Sequence, residues 1–252
     1  MKENNSIISI MKILMTIPIY NEEKQLARQI KILDKFLNSN PDIKSLFDFE
    51  FLDNNSNDIT PDILKALAPE YDWLKFRRIK FKGVGAALRY SWIDSQYSHY
   101  GYMDLDFSTD LSALSHVQQH LLKYSMVVGS RFLPQSVVSG RKLKRKVSSW
   151  CFNKFARVLF SNNLSDLMCG FKFIEADVYH RISHNLTENK GWFLCAEILL
   201  TVNHLGFPVK EIPVVWRESS HSNVKIIGLS IEYICNMFEL KKKFLIDNRL
   251  NP

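Results

Sequence analysis

Asp104 and Asp106 stand two residues apart at the end of an apolar, strand-forming run over 99–103. Side chains at i and i+2 of an extended segment point the same way, so the two carboxylates aim together where a strand would leave its sheet. Paired carboxylates suit a hard divalent cation such as Mg2+ or Mn2+; as plain turn residues they would only precede a helix starting near Leu111. Their company favours the cation. Tyr20-Asn21-Glu22, Asp53-Asn54-Asn55-Ser56-Asn57-Asp58 and Gly129-Ser130-Arg131 each follow an apolar run in the same way. A guanidinium at the end of such a run can hold phosphate oxygens two at a time.

The elements that would carry these clusters alternate. Residues 11–19 form a continuous apolar run, as in a strand buried on both faces, with Pro18 marking its end. A helix with an apolar face through Leu26, Ile30, Leu33 and Leu37 is expected over 22–38. Strands follow over 49–52, 74–79 and 126–128, and helices over 61–67, 86–95 and 111–122. Strands alternating with helices predict an α/β fold, Rossmann-like, with a doubly wound and mainly parallel sheet. Such sheets bind ligands at the C-terminal ends of their strands, and all four polar clusters fall there. The second half is less regular. It holds a basic-aromatic helix over 145–160, a loop over 166–172 entering a strand, and an apolar helix over 193–205 that carries Glu197. A strand over 209–216 contains Pro213, which places it at an edge, and an amphipathic helix over 226–245 ends the pattern.

Composition narrows the function classes. The 252 residues are 46% hydrophobic and 23% charged, an ordinary globular balance that suffices for one large α/β domain. No apolar segment is long enough to span a bilayer. Lys12 interrupts the apolar part of the first twenty or so residues, which therefore read poorly as a signal peptide, and a cytoplasmic location is expected. Cys151, Cys169, Cys195 and Cys235 lack metal-ligand spacing and are expected to be reduced thiols. A net charge of +7 implies an anionic partner; it is densest over 141–146 and 241–243. Nucleic acid is argued against, because no nucleic-acid motif is present and basic residues are not interleaved along the strands.

Taken in order, eight stretches resemble the motifs of family-2 glycosyltransferases of the GT-A fold. They are Pro18-Ile19-Tyr20-Asn21-Glu22, the run from Asp53 through Asp58-Ile59-Thr60, Gly83-Val84-Gly85-Ala86-Ala87, Met103-Asp104-Leu105-Asp106, Gly129-Ser130-Arg131-Phe132, 166–172 ending in Cys169-Gly170-Phe171-Lys172, 192–197, and Glu211-Ile212-Pro213-Val214. The likeness runs from about residue 11 to about 225. It favours the branch that makes dolichyl- or polyprenyl-phosphate sugars. One departure is Asn54, where the family often has a second Asp.

The resemblance implies an inverting transferase that moves a hexose from a nucleotide sugar, of GDP-mannose or UDP-glucose type, to a polyprenyl phosphate. It implies Mg2+ or Mn2+ on Asp104 and Asp106. It puts Pro18, Tyr20, Glu22, Asp53, Asn54, Gly85, Asp104 and Lys225 on the nucleotide sugar, Tyr20 by stacking on the base. Arg131 and Arg145 would hold the acceptor phosphate. Asp166 would position the acceptor, or act as base if the acceptor were a glycan hydroxyl, which is the alternative reaction; a non-catalytic nucleotide-sugar binder is a third reading. A phosphate acceptor is already anionic near neutral pH and needs no base, whereas a hydroxyl does. The chain would form one domain, with a donor half over 1–132, an acceptor half over 133–225 and the final helix over 226–252. Residues 218–225 would form a lid. Glu197 is the other acid with a family counterpart; among apolar residues it needs a partner, and a structural salt bridge with Lys172 is the alternative to a functional role. The helices over 145–160 and 226–245 have apolar-aromatic faces and basic edges, and such helices either pack on the sheet or lie in an anionic membrane interface. The first is expected at the cytoplasmic surface of a membrane, held there peripherally or through a membrane-protein partner.

Overall fold

Apolar side chains on both faces make β1 (Ile13–Ile19) the middle of a sheet. The computed structural model describes residues 11–93, 96–218 and 226–250. After β1 come α1 (Leu26–Ser39), α2 (Pro41–Leu46), β2 (Phe47–Asp53), α3 (Thr60–Leu67), β3 (Leu74–Arg78), α4 (Val84–Ser91) and β4 (His99–Met103). Then follow α5 (Leu114–Leu121), β5 (Met126–Ser130), β6 (Val137–Ser139), α6 (Leu143–Phe160), β7 (Phe171–Glu175), α7 (Ala176–Ser183), α8 (Phe193–His204), β8 (Val209–Pro213), β9 (Val215–Arg217) and α9 (Ile226–Leu250). The main sheet has the order β3-β2-β1-β4-β7-β5-β8.

The sheet is doubly wound, as expected. Ile13, Met15 and Ile17 of β1 join a core with α1 and α5, while Leu14 faces the opposite core with α4, α7, α8 and α9. Period-two alternation thus feeds two layers of helices from one strand. One feature escapes the alternation of strand and helix in the sequence. β7 lies between β4 and β5 and is antiparallel to both. Phe171 and Phe173 meet edge to face at 4.8 Å, and a Cβ on Gly101 of β4 would strike the Phe173 ring at 2.8 Å. That close approach lets β7 seat tightly on β4. Its reversal brings the chain entering β7 to the sheet edge where β4 and β5 end.

Several boundaries differ from the sequence reading. The first helix begins at Leu26 rather than 22, because Asn21 turns at φ 56 and ties the chain to the loop after β2. α2 and α7 were not expected from the pattern. The strand over 209–216 divides: β8 pairs with β5 at the sheet edge, where Pro213 is tolerated, and β9 pairs with β6 in a separate ribbon. Glu197, fully buried in α8, accepts from the Thr187 amide at 2.6 Å and its hydroxyl at 2.7 Å. Lys172 does not pair with it and donates instead to the Cys169 carbonyl. A backbone amide and a hydroxyl thus satisfy the buried carboxylate.

His99, at the start of β4, is 7% exposed, and burial pulls its imidazole from 6.5 down to about 4. The unfolded chain therefore takes up a proton in that window that the folded chain refuses, so stability falls as pH drops through it. A His99→Gln variant is expected to flatten part of that fall, measured as melting temperature by circular dichroism between pH 7 and pH 4.

Candidate active site

The loops after β1 and β2 are laced together before they reach the cavity. The Asn21 amide donates to Ser56 Oγ at 2.9 Å, Asn21 Oδ1 accepts from the Asn57 amide at 2.9 Å, and the Glu22 amide donates to Thr60 Oγ1 at 2.8 Å. This fixes Tyr20 and Glu22 at the rim. Lys82 Nζ donates to the Tyr20 hydroxyl and lies 4.5 Å from the ring centroid. Burial, reinforced by the charges of Asp106 and Asp58, raises the Glu22 carboxyl above its ordinary value despite a hydrogen bond from Gln25. Asp53 turns away from the cavity: Oδ1 accepts from the Ser56 amide at 3.0 Å and Oδ2 meets Arg78 Nε at 3.1 Å. Its neighbour Asn54 lines the cavity instead, 3% exposed, with Oδ1 buried and lacking a hydrogen-bond partner.

Gly83 and Val84 line the cavity, but the Gly85 amide is turned elsewhere. The Gly85 amide donates to the Gly191 carbonyl at 3.1 Å and the Ala86 amide to the Lys190 carbonyl at 3.1 Å. A Cβ on Gly85 would lie 2.8 Å from the carbonyl oxygens of Asn189 and Gly191. Gly85 is a packing glycine that seats α4 against the segment leading into α8.

Asp104 and Asp106 do converge, though not by strand alternation. The chain leaves β4 in a turn, with the Phe107 amide donating to the Asp104 carbonyl at 3.3 Å and Phe107 at φ 46, while Leu105 is buried in the core. Asp106 is oriented by Ser108, whose amide and hydroxyl donate to Oδ1 and Oδ2 at 2.9 and 2.8 Å. Asp104 Oδ1 accepts from the Tyr102 hydroxyl. Its other oxygen rests on Gly170, where any Cβ would overlap the carboxylate. Burial, and then the charge of Asp106, push Asp104 up to about 6. Two neighbouring carboxylates repel in this way; they are the hard oxygen donors a divalent cation prefers, and among the described residues no third His, Cys, Asp or Glu joins them in a metal-holding group.

Across the cavity Arg131 and Asp166 form a buried pair, 7% and 0% exposed at their side chains. Arg131 Nε and Nη2 donate to Oδ2 and Oδ1 at 2.7 and 2.8 Å, and the Arg131 and Met168 amides add bonds at 3.1 Å each. Burial would raise Asp166, but Arg131 outweighs it and holds the carboxyl below its ordinary value. Both oxygens are engaged and the side chain is fully buried, so Asp166 holds Arg131 in place, and the Arg131 guanidinium also stacks on Trp216 at 4.7 Å. Arg145 lies on the same wall and pairs with Glu218. Lys225, with the expected lid beyond Glu218, falls outside the described residues.

Pro18, Tyr20, Glu22, Asn54, Asp104, Asp106, Arg131 and Arg145 thus border one cavity of about 780 Å³. Asp53, Gly85 and Asp166 stand behind its wall. Arg141 also lines it, half-buried, and sequence reasoning missed it. The charge run over 141–146 signalled cations there without showing which one pointed inward. Tyr102 was open to detection, since it lies two residues before Asp104 in an extended segment.

The family model for glycosyl transferase family 2 matches residues 15–183. A dolichyl-phosphate beta-glucosyltransferase of Dictyostelium discoideum is 25% identical, covering 97% of this chain and 78% of that protein. An undecaprenyl-phosphate mannosyltransferase of Micrococcus luteus is 26% identical, covering 86% and 88%. Glycosyltransferase AglD of Haloferax volcanii is 26% identical over 95% of this chain, which spans only 39% of that protein's length. Among solved structures, glucosyl-3-phosphoglycerate synthase from Mycobacterium tuberculosis superposes with a TM-score of 0.68 at 15% identity, covering 96% of this chain and 84% of that one. The same synthase in complex with Mn2+ and UDP-glucose gives a TM-score of 0.67 at 14% identity, covering 95% and 82%. At such identities the structures speak for the fold.

Removing one partner of a buried ion pair strands the other charge, at about 3–5 kcal/mol. Asp166→Ala is therefore expected to destabilise the protein by about that amount in urea unfolding.

Proposed function

The chain belongs to glycosyl transferase family 2, and we propose that it is an inverting hexosyltransferase that moves a sugar from a nucleotide sugar, of GDP-mannose or UDP-glucose type, to a polyprenyl phosphate. One observation carries this reading. Arg131, Arg141 and Arg145 share one wall of the cavity, while the acid expected to serve a hydroxyl acceptor, Asp166, is fully engaged. An acceptor that brings its own negative charge suits that wall. The names of the relatives point the same way, since dolichyl phosphate and undecaprenyl phosphate are both polyprenyl phosphates.

The donor lies on the acidic side. Tyr20 offers a ring face to the base, and the unpartnered Asn54 amide oxygen offers a hydrogen-bond acceptor at the same end. Asp104 and Asp106 would hold Mg2+ or Mn2+, which when bound supplies positive charge against the leaving diphosphate. Mn2+ with UDP-glucose in the mycobacterial synthase supports that assignment. Ser108 holds Asp106 in place, and Tyr102 and Gly170 hold Asp104, so neither carboxylate has to reorganise during transfer. On the other side the arginines fix the acceptor phosphate. It is already ionised, with a second pKa of about 6, and attacks the anomeric carbon from the face opposite the diphosphate, which inverts the configuration. No proton has to leave the nucleophile.

A polyprenyl chain has to leave the cavity toward a lipid phase. α6 and α9 lie side by side, joined by ring contacts of Phe152 with Tyr233, Phe155 with Phe238 and Phe160 with Phe244 at 5.7, 5.9 and 5.7 Å. Val147, Trp150 and Val158 of α6 and Ile231 and Phe238 of α9 are all more than half exposed. Among the described residues no helix is long and apolar enough to cross a membrane. Apolar side chains exposed beside lysines suit an anionic interface, and Ser148, Ser149 and Phe152 connect that face to the cavity. This exposed face of α6 and α9 would therefore meet the surface of a membrane.

With radiolabelled donor and undecaprenyl phosphate, label is expected in the organic phase; label found only in a saccharide acceptor would refute the lipid reading. Asp106→Asn is expected to lower the rate at least about 100-fold, and undiminished turnover would sink the metal assignment. A Trp150→Glu, Val158→Glu double variant is expected to stop sedimenting with phosphatidylglycerol vesicles while its melting temperature is unchanged.

A further inference from the structure

Glu218 sets a carboxylate among the arginines that the preceding reading gives to the acceptor phosphate. Its amide donates to the Ser139 carbonyl at 3.2 Å, extending the pairing of β6 with β9, so the residue is anchored at the cavity wall. Glu218 Oε1 accepts from Arg145 Nη1. The two side chains are only 13% and 22% exposed, and Glu218 Oε2 is buried with no hydrogen-bond partner. Nearby, Arg141 donates to the neutral hydroxyl of Ser149 and forms no ion pair within 4.0 Å among the described residues. Burial first, and then the charge of Arg131, hold Arg141 down to about 10, while Asp166 and then Glu218 partly offset them. Arg131 is already neutralised by Asp166.

The wall therefore carries two mismatched groups: a carboxylate oxygen without a donor and a desolvated guanidinium without a bonded anion. The buried carboxylate oxygen is costly in that condition, and the half-buried guanidinium less so. A phosphate monoester, with three acceptor oxygens and nearly two charges, would serve Arg141 and Arg145 together, which one carboxylate oxygen does not. We propose that Glu218 is an internal anion that occupies the acceptor-phosphate position on Arg145 and must be displaced when a phosphate monoester binds. The identity of the natural acceptor, though not the displacement itself, rests on the lipid-phosphate reading. Such a placeholder makes the headgroup alone a weak ligand. Binding then depends on added contacts from the acceptor chain along α6 and α9, and free phosphate in solution is kept off the arginines.

The test is calorimetric titration of the whole protein with inorganic phosphate, comparing wild type, Glu218→Gln and Glu218→Asp. Glu218→Gln is expected to bind phosphate about five- to tenfold more tightly, and its KM for undecaprenyl phosphate to fall by a similar factor. Glu218→Asp keeps the charge and is expected to stay near wild type. A bridge with only a structural role predicts the opposite: a lower melting temperature for Glu218→Gln and no gain in phosphate affinity. Equal or weaker phosphate binding by Glu218→Gln overturns the proposal, as does undetectable binding by both proteins. The titration requires no sugar transfer. Tighter phosphate binding without transfer to undecaprenyl phosphate would leave the placeholder standing and remove the lipid acceptor. Transfer without tighter binding would do the reverse.

Discussion

The cavity depends on how β7 is inserted. Were β7 parallel to its neighbours, the loop before it would emerge at the far edge of the sheet, away from Asp104. Antiparallel, with Met103 opposite Phe171, it delivers the chain from Asn162 to Gly170 beside the ends of β4 and β5. That chain is then pinned from several sides. Glu211 of β8 accepts from the Ser165 amide and hydroxyl and from the Asp166 amide at 2.6–3.1 Å, and Asn153 of α6 accepts from the Leu167 amide at 3.0 Å. Asp166, so fixed, grips Arg131, and Gly170, so placed, lies under Asp104. One reversed strand thus sets both the acidic end and the arginine end of the cavity.

The two ends have opposite charge. Glu22, Asp104 and Asp106 gather at the ends of β1 and β4, and burial with mutual repulsion raises the first two. Arg131, Arg141 and Arg145 gather at the end of β5 and the start of α6. β9 links them. The Arg217 amide donates to the Ser108 carbonyl at 2.8 Å, next to Asp106, and Trp216 stacks on Arg131. A substrate with a cation-bound diphosphate and one with a bare phosphate monoester would each find its own side, and the sugar would be held between them.

Much of this was legible in the sequence. Strand and helix alternation gave the doubly wound sheet, because buried parallel strands read as unbroken apolar runs. The polar clusters identified the functional edge. What the sequence hid has physical causes. Strand direction leaves no trace in composition, so β7 could not be oriented from its residues. Gly85 reads like a phosphate-loop glycine but is required by the approach of the 189–191 backbone, a contact made across about a hundred residues. Asp53 and Asn54 are adjacent in sequence, and only the turn after β2 decides that the amide meets the cavity and the acid meets Arg78. Asp166 looked like a candidate base until its four hydrogen bonds were visible. Arg141 could not be told from its four basic neighbours over 142–146 without the start of α6.

The contact between Asp104 and Gly170 also constrains how the site can change over time. The carboxylate occupies the space that any side chain at 170 would need, and these residues are 66 positions apart in the chain. The constraint runs one way: a larger residue at 170 is admissible only once the carboxylate at 104 has moved or gone. Change at the two positions is therefore ordered, with 104 yielding first, and a library that varied 170 alone would return mostly failures.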